Sequence, residues 1–229
     1  MGLCLEVGIL ADLRDNDEEG YHYYRGQFRG LNSDLQRAQL PEHLEPEDCE
    51  VWSCEMFGYS GLHYLRRLAA HLDLTGQLPR PGGDDASKDP LLERYHQHAN
   101  GVKAWFMSGG DKKQDFQRRF DHLILHSDAE GFYLPIDFPS VVYPEPELGI
   151  AGGIVGSSQS LLRECQRIAE ELQIPTNLNE TSEELWEAAD SQGEGDLTWQ
   201  RYGIESFSCV CLIRGSLKSI ETKAALVFV

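Results

Sequence analysis

What this sequence lacks narrows the field first. No apolar run approaches the ~20 residues of a membrane-spanning helix, which points to a soluble chain. Positive charge is scarce: 20 Lys and Arg face 38 Asp and Glu, for a formal charge of −18. Binding to a nucleic-acid backbone or to an anionic membrane draws on clustered cations. Neither nucleic acid nor membrane is therefore an expected partner. Cysteine is sparse as well, six in 229 residues, far below the density of a disulfide-built scaffold. The start, MGLCLEVGILADL, has no basic stretch and no small-residue cleavage site, so no secretory leader is read there. Glu6 stands where the myristoylation pattern asks for Ser or Thr. Internal repeats, low-complexity tracts and a Walker or dinucleotide glycine fingerprint are also missing.

What is present reads as one α+β domain spanning residues 1–229. Hydrophobic residues make up 41% and charged residues 25%, which is globular composition. Leu3, Leu5, Val7 and Ile9 alternate, as in a first strand of a cytoplasmic protein. Asn16 or Asp17 caps a helix bearing Tyr21, Tyr24, Phe28, Leu31 and Leu35. Residues 41–55 are acidic and irregular. Ser60 caps a second helix that Gly76 closes, and residues 78–88, rich in Pro, Gly and Asp, form a mobile loop. Asp89 and Pro90 open a third helix ending near Ala99, and a further one is expected over 111–120. His122–His126 and Phe132–Phe138 read as two strands of a hairpin, the second at an edge because of Pro135 and Pro139. Ser157 or Ser158 caps the clearest helix, with Leu161, Leu162, Cys165, Ile168, Ala169 and Leu172 on its apolar face. Thr181 and Glu184 make a capping box for a short helix. The alternation of Phe207, Cys209, Cys211 and Ile213, and the terminal ALVFV, read as closing strands. Helices early and strands late, without regular alternation, favour α+β. The sheet, mixed or antiparallel, contains the N- and C-terminal strands, and helices pack on it.

Four constellations carry ionisable or chelating groups. The first is His122 and His126 with Asp128 and Glu130, where a hairpin would point two imidazoles one way; His126, Asp128 and Glu130 are the candidate catalytic set. Asp128 and Gly131 equally suit a plain turn. The second is the run Gly149, Gly152, Gly153 and Gly156 ahead of a helix N-terminus, a weak anion cradle. The third is Cys49-x4-Cys54 and Cys209-x-Cys211, whose spacings do not suit zinc, so no metal and no cofactor is expected. The fourth is the acidic run from Glu180 to Asp196. Its Glu183, Glu184, Glu187, Asp190, Glu194 and Asp196, with Trp186 among them and Trp199 and Tyr202 beside it, form the candidate partner-binding surface.

Two functions follow as expectations. The leading one is an acidic binding module, an inhibitor or immunity-type protein that neutralises a basic protein. The alternative is a hydrolase, metal-assisted or not, working from the 122–131 hairpin.

Overall fold

The computed structural model describes residues 3–82, 85–107 and 118–229. In chain order they form β1 (Cys4–Val7), α1 (Ile9–Asn16), α2 (Glu18–Arg37), β2 (Trp52–Glu55), α3 (Gly58–Thr75), α4 (Pro90–Met107) and α5 (Asp121–Ile124). They continue with β3 (Gly131–Leu134), β4 (Val155–Ser157), α6 (Ser158–Leu172), α7 (Glu183–Asp190), α8 (Thr198–Arg201), α9 (Gly203–Thr222) and β5 (Leu226–Phe228). The five strands make one mixed sheet in the order β2-β1-β5-β3-β4. Only the β3–β4 pair is parallel. The chain is thus a single α+β domain in which the first and last strands pair side by side, Leu5 opposite Phe228 and Val7 opposite Leu226.

Strand side chains alternate between the two sheet faces, and both faces are covered. Leu5, Val7, Tyr133, Leu226 and Phe228 join one core with α3, α6 and α9. Phe132, Leu134, Val155, Ala225 and Val227 join a second core with Ile9, Leu10, Phe28, Leu31 and Leu35 of α1 and α2. Two expected caps are in place, whereas Ser60 lies inside α3, which starts at Gly58, and Ser182 rather than Thr181 precedes α7. Asp17 accepts from Gly20 N at the start of α2, and Ser157 accepts from Ser160 N at the start of α6. Gly76 closes α3 with φ +70°.

Several elements differ from their sequence patterns. Phe207 to Ile213 lie in helix α9, not in a strand. Every residue from Phe207 to Leu212 is buried, so this stretch of the helix has no polar face and its period cannot show in the sequence. His122–His126 begin in the helical turn α5 and continue as bends. That five-residue apolar run is too short to tell helix from strand. No hairpin joins it to β3. β3 instead runs inside the sheet between β5 and β4, ending at Leu134 just before the proline that suggested an edge. The alternation starting at Leu3 stops at Val7, and Ile9 opens α1 after Gly8 turns the chain with φ +89°. Trp52–Glu55 in the irregular segment pairs with β1 as an edge strand. The helix capped at Asp89 passes Asn100-Gly101 and runs to Met107. The helix expected over 111–120 falls largely on residues 108–117, outside the described residues. In the loop after α3, Arg67 Nη2 donates to Arg80 O at 3.0 Å and the Tyr202 hydroxyl donates to Pro79 O.

Candidate protein-binding surface

The structure takes the central catalytic candidates apart. His126 is 2% exposed and stacks on Tyr133 with ring centroids 4.0 Å apart. Its two ring nitrogens face the carbonyl oxygens of Ser127 (3.0 Å) and Phe132 (3.1 Å), not a carboxylate. Burial pushes its pKa down to about 4, so the ring is neutral at pH 7. His122 Nδ1 accepts from the Ser157 amide at 2.9 Å, and burial holds it at about 4 as well. Asp128 lies instead 3.3 Å from His63 Nε2, while Glu130 is exposed. His126, Asp128 and Glu130 therefore never converge. These imidazoles are core groups that fix α5 and the sheet. Beside them the fully buried Arg66 donates to the carbonyls of Leu123, His126 and Ser127, capping the turn after α5.

The glycine run, whose Gly149 and Gly153 are exposed, leads to no open anion cradle. Ser157 and Ser158, at the helix start it leads to, are 0% exposed. The Ser157 amide and side chain are already committed to His122 and Ser160, and the Ser158 hydroxyl meets Ser219 at 2.7 Å. The C-x-C pair sits on helix α9, where residues two apart point different ways. Cys209 Sγ turns to Cys165 O and Cys211 Sγ to Cys54.

The acidic run behaves differently. Glu183, Glu184, Glu187, Asp190, Glu194 and Asp196 are all exposed, and among the described residues none makes an ion pair. Glu183, Glu187 and Asp190 share one face of α7 at i, i+4 and i+7, about 6 Å and then 4.5 Å apart along the axis. The loop that follows is clamped by Gln192. Its Nε2 donates to Glu205 Oε2 at 2.7 Å, and its Oε1 accepts from Ile204 N at 2.8 Å. Gly193 N adds a bond to Arg201 O, so Glu194 and Asp196 project from a fixed backbone. At the other end Glu180 accepts from Trp52 Nε1 at 3.0 Å and pairs with Arg214, tying α7 to β2 and α9. Gln192 and Glu180 carry no pattern in the sequence, because their partners are 12 or more residues away. Of the aromatics, only Trp186 reaches this surface, 38% exposed, its ring 4.2 Å from Phe207 and its indole N–H on Glu180 O. Trp199 and Tyr202 are buried in the core.

The charge of the whole chain is gathered, not spread. Residues 168–200 hold nine carboxylates and no Lys or Arg. Residues 1–65 hold thirteen carboxylates and four bases. The remaining 131 residues hold sixteen of each, so the entire surplus of −18 lies in those two segments. A contact at the β2 edge joins them: the Trp52 indole N–H donates to Glu180 Oε1 at 3.0 Å. Helix electrostatics argue that the carboxylates at the ends of α6 and α7 are not there for stability. Carboxylates favour a helix N-terminus and disfavour its C-terminus. Yet α7 ends on Asp190, α6 carries Glu170 and Glu171 in its last turn, and neither last turn has a basic residue.

An acidic α+β domain with an unneutralised carboxylate face is one class of protein-binding module. A family model described as "Putative DNA-mimic protein" matches residues 1–228, and the chain belongs to that family. No curated protein and no solved structure matches it. The family corrects two expectations. A neutralising inhibitor or immunity-type protein, with a hydrolase as the alternative, gives way to the DNA-mimic description of the family. The partner expectation changes with it: setting nucleic acid aside left out the ligand that the family's description names.

Proposed function

We propose that this protein is a DNA mimic, occupying the DNA-binding surface of a basic nucleic-acid-binding protein. The family match across nearly the whole chain carries this reading. The gathered charge supports it. Duplex DNA presents one phosphate charge per ~1.7 Å of axis, and proteins that grip it do so with arrays of Lys and Arg. The carboxylates of α7 and of the Gln192-clamped loop stand in for part of such a row, free of internal cations and held on a rigid backbone. Trp186 adds an apolar contact at the rim of the patch. Electrostatic complementarity of this kind governs association rate and partner choice more than raw affinity. A cytoplasmic setting suits the six free cysteines.

The test is capture on the immobilised full chain from a nuclease-treated lysate at low salt, followed by elution with duplex DNA. DNA-binding proteins released by the duplex are the expected result. Their affinity is expected to fall at least about tenfold between 50 and 200 mM salt. In the variant with Glu183→Gln, Glu184→Gln, Glu187→Gln and Asp190→Asn, capture is expected to weaken by a similar factor. Partners that the duplex fails to displace would overturn the reading.

A further inference from the structure

The fold brings two cysteines 157 residues apart into contact: Cys54 Sγ on edge strand β2 stands 2.9 Å from Cys211 Sγ on α9. We propose that Cys54 and Cys211 form a reversible disulfide, a redox site that clamps β2 to α9. A disulfide needs an S–S distance of ~2.05 Å, so the sulfurs have to close by less than about 1 Å. Buried cysteine by itself is ordinary core filling. This pair is distinguished by its sulfur-to-sulfur approach, since the neighbouring buried Cys209 points its thiol at Cys165 O, 3.2 Å away. Access also differs. Cys165, Cys209 and Cys211 are 0% exposed, whereas Cys54, the thiol that meets the oxidant first, is 7% exposed on a strand hydrogen-bonded on one side only. Such edge strands open locally more readily than a central helix.

The chemistry balances with a low-molecular-weight disulfide such as oxidised glutathione as the oxidant. Cys54 gives up its proton and its thiolate attacks one glutathione sulfur, expelling the other half as thiolate. Cys211 thiolate then attacks Cys54 Sγ, the mixed disulfide breaks, and the second glutathione leaves. The sum is two protein thiols oxidised and one glutathione disulfide reduced to two thiols. The contact with Cys54, together with burial, pushes the Cys211 thiol up, so the second step quickens as pH rises. The clamp has a structural consequence. Glu180 is already held by Trp52 of β2 and Arg214 of α9, and a bond between the same two elements stiffens the base from which α7 departs. This inference stands apart from the DNA-mimic reading.

The experiment equilibrates the native full chain in glutathione buffers of graded redox poise, quenches with acid, unfolds and alkylates, and maps peptides by mass. Two alkylatable thiols are expected to disappear together, with a Cys54–Cys211 peptide two hydrogens lighter and a melting temperature higher by at least about 5 °C. Cys54→Ala and Cys211→Ala are each expected to abolish both changes, while Cys209→Ala keeps them. Six thiols still alkylatable under oxidising poise, a lasting glutathione adduct on Cys54, or a cross-link between other cysteines would each overturn the proposal. A cross-link that forms while duplex-eluted capture fails would leave the redox site standing and remove the DNA-mimic reading alone.

Discussion

Buried Glu164, His122 and His126, with the half-buried Glu6, shape how this protein responds to pH. Glu164 accepts the amides of His122 and Leu123 at 3.1 and 2.7 Å, yet burial still pushes its pKa up to about 8 from 4.5. Glu6 on β1 is pushed up to about 7 by burial and by Asp12. The folded protein therefore keeps protons that the unfolded chain has lost above pH 4.5, and stability falls as pH rises through that window. His122 and His126 act in the opposite sense. Held at about 4 against an ordinary 6.5, they leave the unfolded chain to bind protons first, so stability falls on acidification below 6.5. The melting temperature should thus peak at mildly acidic pH and decline on both sides. A flat profile above pH 7 would show that Glu164 is ionised in the fold. At the acidic face, Gln192→Ala leaves the charge untouched but frees the loop bearing Glu194 and Asp196. Partner affinity should drop several-fold with little change in its salt dependence, whereas Glu194→Gln should flatten that dependence. Isothermal titration at two salt concentrations separates the two.

Among the elements, α7 sits closest to α9 where a side chain has no room. A Cβ on Gly203 would lie 1.8 Å from Ala188 O, a backbone atom. Alanine gains at most about 1 kcal/mol in helix propensity, while a backbone clash of this depth exceeds the usual 1–3 kcal/mol of overpacking. Gly203→Ala should therefore destabilise by about 3 kcal/mol or more in urea unfolding. Asp190→Lys makes the converse case. A cation in the last turn of α7 suits the helix dipole and should add about 0.5 kcal/mol, while capture of the partner weakens. Stability and binding moving together would mean the acidic C-terminus serves the fold. Elements that announce themselves locally were legible in the sequence: the Asp17 and Ser157 caps, the Asp89-Pro90 start, the Gly76 stop and both terminal strands. Elements defined by their surroundings were not. α9 is wrapped on every side from Phe207 to Leu212, so Phe207, Cys209, Cys211 and Ile213 show no helical stripe. The imidazoles of His122 and His126 look like chemistry in a string of letters because burial, which silences them, is a three-dimensional property. The acidic run was visible, but neither its freedom from ion pairs nor its clamp through Gln192 could be read without the fold.

Taken as a whole, the molecule carries its −18 charge as two stretches of like charge, which repel within the folded state and are screened by salt. Raising ionic strength from about 50 mM to 500 mM should therefore raise the melting temperature by a few degrees while the partner is released. A melting temperature that falls with salt would mean that ion pairs outweigh the repulsion. The sheet sets a different constraint. β5 lies between β1 and β3, so the strand that joins the two halves of the sheet is more than 200 residues further along than the first. On a ribosome adding roughly 5–20 residues per second, β1 emerges at least about ten seconds before the partner that fills its inner edge. Through that interval the half-built chain displays an open apolar edge, and its strong like charge then serves a second end: it keeps nascent copies from one another until Leu226–Phe228 arrive.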